Sequence, residues 1–224
     1  MSPLPLNTLI VESRLHLIKT PSLTTYFLRY KNTMRKVVFD IETRNTFEDV
    51  GKADPALLDI SMVCIYDYET NSYHSYLQEE LQQLWPILEK TDMLIGYNSD
   101  HFDIPLLNKY YHGDLTQIKS LDLLKEIRES FGRRLRLDSV AEGTLGKKKS
   151  GHGLDAIRWW NAGEIDKIRQ YCLDDVKITK DIYEHALKND TVNYMDLSEK
   201  REIKLDTSDW EKEDRVSMTH SLPF

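Results

Sequence analysis

The segment that most constrains how this chain can fold is Lys36-Val-Val-Phe-Asp-Ile-Glu42. Its β-branched, apolar character predicts a buried strand. Yet it carries two carboxylates, Asp40 and Glu42, two residues apart. Side chains alternate along a strand, so both acids point to the same face. In an apolar setting two ionised carboxylates are costly unless something cationic compensates them. Valine or isoleucine would serve a plain core better, although two acids at a strand end facing water fit the pair as well.

Two further acidic signatures follow in order. Asn98-x3-Phe102-Asp103 comes directly after the short apolar strand Met93-Leu-Ile-Gly96, where the chain passes from strand into helix. Open α/β sheets bind ligands outside the carboxyl ends of their strands. Asp103 is expected in the first turn of that helix, near Asp40. An acid there also complements the helix dipole unaided, while Asn98 suits a turn and Phe102 a core anchor. Tyr171 and Asp175 stand four apart on a long helix expected over residues 162–188, and therefore on one face. Asp174 is rotated away by about 100°. A tyrosine one turn before an acid can orient a water beside a metal, or be a half-buried helix aromatic.

Taken together, the signatures supply four carboxylates and one phenol. Hard divalent cations such as Mg2+ take carboxylate oxygens and keep waters. Two such ions about 4 Å apart can activate an attacking water and stabilise the leaving oxygen of a phosphodiester. In that arrangement Asp40 bridges both ions, Glu42 and Asp175 complete the shell of the first, Asp103 holds the second, and Tyr171 positions the nucleophile.

The rest of the sequence predicts a mixed sheet with helices on both faces. Strands are expected at 36–42, 59–66, 72–77, 93–96 and 118–121. Helices are expected at 79–90, 102–111, through 131, at 137–143, at 154–160 and at 162–188. Residues 1–33, interrupted by Pro3, Pro5 and Pro21, read as an N-terminal extension, and the compact domain spans 34–188. A polar C-terminal tail, 189–224, holds a possible hairpin pairing 192–197 with 202–205, and looks disordered beyond Trp210.

The 224 residues suffice for one domain with a full core plus extensions. No apolar run approaches the roughly 20 residues of a membrane span, and no secretory signal layout opens the chain. Two cysteines, Cys64 and Cys172, suit a reduced, cytoplasmic protein and cannot by themselves build a structural zinc site. The net charge of −7 argues against a nucleic-acid partner. Against that, the stretch 125–153 holds eight basic and four acidic residues, and a metal site accounts for several of the acids. Within that stretch, Lys147, Lys148 and Lys149 lie on a flexible loop expected to draw a single strand inward, or simply to be solvated. Trp159-Trp160 could stack bases but suits packing between helices better. His101 has no histidine at ligand spacing and reads as a surface residue.

Phe-Asp-Ile-Glu-Thr at 39–43, Gly-Tyr-Asn-Ser-Asp-His-Phe-Asp-Ile-Pro at 96–105 and Tyr-Cys-Leu-Asp-Asp at 171–175 resemble the three exonuclease motifs of the DEDD superfamily. These are ribonuclease H-like 3′-5′ exonucleases. The second motif is similar to that of family B DNA polymerase proofreading domains and their stand-alone prokaryotic relatives. The resemblance covers about residues 36–187 and implies a ribonuclease H-like α/β fold and a two-metal exonuclease using Mg2+ or Mn2+. Its substrate would be single-stranded 3′ ends of DNA or RNA. The histidine subtype would have its catalytic residue at Gln170, whereas Tyr171 occupies the tyrosine subtype's position. By the same resemblance Thr43, Asn98 and Phe102 contact the terminal nucleotide. No polymerase domain follows in this sequence, so proofreading in cis is not expected. A structure-specific endonuclease, or a non-catalytic nucleic-acid-binding module on the same fold, are the alternatives.

Overall fold

The computed structural model describes residues 34–147, 153–197 and 199–212. The extension 1–33, the tail beyond 212, and Lys148 and Lys149 of the basic loop lie outside the described residues.

In chain order the strands are β1 (Lys36–Thr43), β2 (Ile60–Asp67), β3 (Ser72–Tyr76), β4 (Met93–Gly96), β5 (Lys119–Asp122), β6 (Thr191–Asp196) and β7 (Glu199–Lys204). The α-helices are α1 (Phe47–Val50), α2 (Trp85–Leu88), α3 (Asp103–Asn108), α4 (Leu123–Phe131), α5 (Leu137–Leu145), α6 (Gly153–Asn161) and α7 (Ile165–Asn189). Five strands form one sheet in the order β3-β2-β1-β4-β5. β1, β2 and β3 pair antiparallel, while β4 and β5 run parallel to β1. This is the mixed α/β sheet that three leading strands followed by alternating helices and strands predict.

β1 occupies the centre of the sheet, and its period-two alternation splits the core. Val37, Phe39 and Ile41 join the cluster that includes Leu81, Leu88, Ile104 and Leu107. Val38 joins the opposite cluster, built on Ile168, Cys172, Val176 and Ile182 of α7. Asp40 and Glu42 share the phase of Val38 and so face α7. Next to them the pairing of β1 with β2 shifts between Glu42 and Thr43, a bulge of the kind that re-aims side chains beside functional sites.

Several boundaries differ from the sequence expectation. The helix expected over 79–90 is a 3-10 segment, Gln78–Gln83, followed by the single α-turn of α2. Pro86 is the reason: it lacks an N–H and serves as a first-turn residue of a new helix, not the interior of a long one. α3 is shorter than 102–111. α7 begins at Ile165, not 162, because Gly163 takes a left-handed φ of 71° that closes α6 first.

The expected hairpin exists, with its pairing shifted: Val192 faces Ile203 and Asp196 faces Glu199. Val192, Tyr194, Ile203, Leu205 and Trp210 belong to the same buried cluster as α7, so this segment packs on the sheet domain. Gly143 of α5 permits the approach, since a Cβ there would lie 2.4 Å from the Tyr194 Cα. No described helix is long and apolar enough to cross a membrane.

Candidate active site

Asp40 and Glu42 reach the site from β1, and Asp175 reaches it from α7. Carboxylate oxygens of these three residues all lie within 4.8 Å of one another. Glu42 and Asp175 are buried, at 8% and 3% exposure, and Asp40 is half-buried. Like charges this close and this sheltered from water repel strongly, so the cluster favours either a cation or a bound proton. The donor set is all carboxylate, with no histidine or thiolate among the clustered ligand atoms. That chemistry fits a hard divalent cation.

α7 is held in register over β1 by packing and by a thiol. Cys172 Sγ donates to the Asp40 carbonyl oxygen at 3.4 Å. Burial pushes the Cys172 thiol well up, and the neighbouring Cys64, Asp40 and Glu42 add to the effect. It therefore stays a neutral donor. Asp174 has the opposite phase: Gln170 Nε2 donates to its Oδ1 at 3.0 Å on the outer side of the helix. Helix geometry thus selects Asp175 over Asp174.

Asp103 opens α3 and is 5% exposed. It lies close enough to Asp40 to feel its charge, but outside the group of three. Burial, then the Asp40 charge, raise its carboxyl well above the usual range, against hydrogen bonds from its own and the Ile41 backbone. A nearby cation would reverse that direction. The loop that presents it is tightly specified. Asn98 takes a left-handed φ of 67°, and the Phe102 and Ile104 amides donate back to the Asn98 and Ser99 carbonyls. Gly96 has no alternative, because a Cβ there would sit 2.4 Å from the Ser99 side chain.

A cleft of about 490 Å3 opens over the acids. Asp40, Glu42, Asp175, Tyr171, Thr43, Asn98 and Phe102 all line it, so seven of the eight residues singled out in the sequence converge on one opening. Asp103 is the exception; it feels the charge of Asp40 but does not line the cleft. Phe47 of α1 and Leu58 complete one apolar wall, and Leu154 and Ile157 of α6 another. The Phe47 and Phe102 rings meet edge-on, with centroids 6.1 Å apart. α1 is fixed by a capping box between Thr46 and Asp49.

Four contributors carry no motif in the sequence that sets them apart. Phe47, Leu154 and Ile157 look like ordinary apolar residues of amphipathic helices, and nothing in one sequence separates a cleft wall from a core. Asp122 is a buried anchor for the motif loop. Its carboxylate accepts from the amides of Asn98 (2.7 Å), Asp100 (3.2 Å), Leu124 (2.9 Å) and Lys125 (3.4 Å). Its signal was available as an acid ending a strand immediately before a helix, the N-cap position. His101 is exposed. Lys147 is paired with Asp181 at 2.6 Å, so part of the basic loop's charge is already matched. Trp159 packs against Tyr171, and Trp160 packs against Arg44.

Residues 37–187, well over half of the chain, match the family RNase_H_2 of the RNase_H superfamily. The chain belongs to that superfamily. No curated protein matches it. Among solved structures it is similar to the family B DNA polymerase from the hyperthermophilic archaeon Pyrobaculum calidifontis, with a TM-score of 0.55 and 20% identity over 69% of this chain. The match spans 24% of the polymerase, about a quarter of its length, and it is a likeness of fold.

Proposed function

We propose that this protein is a metal-dependent 3′-5′ exonuclease of the tyrosine subtype, hydrolysing single-stranded 3′ ends of DNA or RNA. The observation that carries this proposal is the convergence of Asp40, Glu42 and Asp175 within 4.8 Å, in a cleft whose rim includes Tyr171, Asn98 and Phe102. Membership of the RNase_H superfamily supports a nucleic acid as substrate, and the likeness to part of a DNA polymerase agrees with it.

Asp40, Glu42 and Asp175 would hold one divalent ion, with Asp40 and Asp103 holding a second, Mg2+ or Mn2+. When bound, such ions supply the positive charge that offsets the carboxylates and stabilises charge developing on the phosphodiester oxygens. Everything else falls to the chain. Tyr171, one helical turn before Asp175, lines the same cleft and would orient the attacking water. Asn98 and Thr43 offer polar contacts to the terminal nucleotide, and Phe102 offers a ring face. Because contacts of this type address backbone and ring faces, hydrolysis is expected to be tolerant of base sequence.

The test is hydrolysis of matched DNA and RNA strands labelled at the 3′ or the 5′ end, with Mg2+ or Mn2+. Stepwise release of mononucleotides from the 3′ end that disappears in Asp40→Ala is the expected result. Cleavage of a circular single strand would indicate an endonuclease instead. Binding without any hydrolysis would indicate a non-catalytic module.

A further inference from the structure

α6 carries two tryptophans side by side, and helical geometry sends neighbours about 100° apart. They meet different partners. The Trp159 ring approaches the Tyr171 ring edge-on, with centroids 5.8 Å apart and planes at 67°. Trp160 lies under the guanidinium of Arg44, whose Cζ is 4.3 Å from the ring centroid. Arg44 is itself fixed: Nε donates to the Ile60 carbonyl and Nη2 to Glu79 Oε1, both at 2.6 Å. It stands two residues beyond Glu42, just past the bulge.

One short helix therefore touches both halves of the site. Through Trp160 it is pinned to the end of the strand that carries Asp40 and Glu42. Through Trp159 it abuts the tyrosine that shares α7 with Asp175. The same helix gives Leu154 and Ile157 to the cleft wall. A phenol can orient a water only if its ring is held in one orientation, and a flat edge-to-face neighbour supplies that restraint.

We infer that Trp159 is a positioning residue for Tyr171, and that the Arg44–Trp160 stack holds Trp159 in place. This rests on the role given to Tyr171 above, and the experiment separates the two. With 3-fluorotyrosine at position 171 of the full chain, 19F spectra report the ring directly, without any need for activity. Wild type and Trp159→Phe should show the same fixed-ring signal, Trp159→Ala an averaged and shifted one, and Arg44→Lys a shift in the same direction, since lysine keeps the charge but not the planar stack. A signal unmoved by Trp159→Ala overturns the inference.

On a 3′-labelled single strand, Trp159→Ala should lower kcat about tenfold with KM changed less than about twofold, and Trp159→Phe should restore most of it. In a Tyr171→Phe background the same Trp159→Ala change should cost less than about twofold, because the group being positioned is gone. Equal losses in both backgrounds overturn the inference while leaving Tyr171's role standing. If Tyr171→Phe alone leaves kcat unchanged, the role of Tyr171 fails, and the 19F response still decides whether Trp159 fixes the ring.

Discussion

Cys172 on α7 donates its thiol proton to the backbone carbonyl of Asp40 on β1, across 3.4 Å. The contact sits under the acidic cluster, where it sets how closely the helix approaches the strand. Asp175 follows Cys172 by one turn, so the separation of its carboxylate from Asp40 depends on this packing. Cys172 has no exposed surface, so a larger side chain must push the helix outward. Cys172→Leu is expected to destabilise the protein by about 1–3 kcal/mol. It should also reduce the rise in melting temperature on adding Mn2+, which reports the three-carboxylate geometry. Calorimetry with and without Mn2+ checks both effects. A variant that keeps the full Mn2+ shift would show that the thiol contact does not set the spacing of the acids.

Asp122 contributes no chemistry, yet it holds the loop that does. Four backbone amides, two from the 98–100 loop and two from the first turn of α4, converge on its carboxylate. Burial raises its pKa despite those donors, so the residue is under electrostatic load. Asp122→Ala strands buried amides and removes an N-cap. Its expected cost is on the order of 3 kcal/mol in urea unfolding. Asp122→Asn keeps one acceptor oxygen and should lose about half as much. Both should lower activity through Asn98 and Asp103, and the loss should follow the loop's hydrogen-exchange protection.

How much of this was legible beforehand depends on whether a residue's role is written in local periodicity. Asp40 and Glu42 were, because a period of two forces them to one face of β1. Asp175 was, because helix phase separates it from Asp174, which the structure pairs with Gln170. Pro86 signals the break within 79–90, but the amphipathic pattern runs straight through it and masks that signal. The apolar walls were not legible: Phe47, Leu154 and Ile157 become a cleft only when α1 and α6 are brought to the same end of the sheet. The contacts of α6 are likewise tertiary: Trp159 meets Tyr171 on the next helix, and Trp160 meets Arg44 from more than a hundred residues earlier in the chain.

The segment after the hairpin is fastened by an ionic contact whose pH dependence has a definite sign. Lys36 and Tyr183 both donate to the Glu211 carboxylate, and the neighbouring Trp210 stacks on Tyr183 with centroids 6.0 Å apart. Burial alone would raise the Glu211 pKa, but the hydrogen bonds from Lys36 and Tyr183 outweigh it and leave it lowered. A carboxylate with a depressed folded-state pKa contributes stability above the unfolded value, near 4.3, and loses it as pH falls through the folded value. Glu211→Gln should therefore melt lower than wild type at pH 7, with the gap closing below about pH 4. Solvent screening at this exposed site keeps the effect under about 1 kcal/mol. A gap independent of pH would assign the contact to packing alone.

The acidic cluster makes an opposite demand on stability and on function. Without a cation, carboxylates within 4.8 Å of each other repel, by on the order of 3 kcal/mol per ionised pair at a surface-like dielectric. Replacing Asp175 with Asn removes one of these charges at nearly constant shape. In EDTA, Asp175→Asn should then be at least as stable as wild type, even though it loses a residue at the centre of the fold. With Mn2+ present the order should reverse, because only the wild type gains the binding free energy, by an amount that grows with cation concentration. Hydrolysis by the variant should fall by a factor of about a thousand or more, as for removal of a principal charge-stabilising group. Melting curves across a Mn2+ titration decide the matter: parallel shifts in both proteins would mean that Asp175 does not hold the ion, whatever its effect on activity.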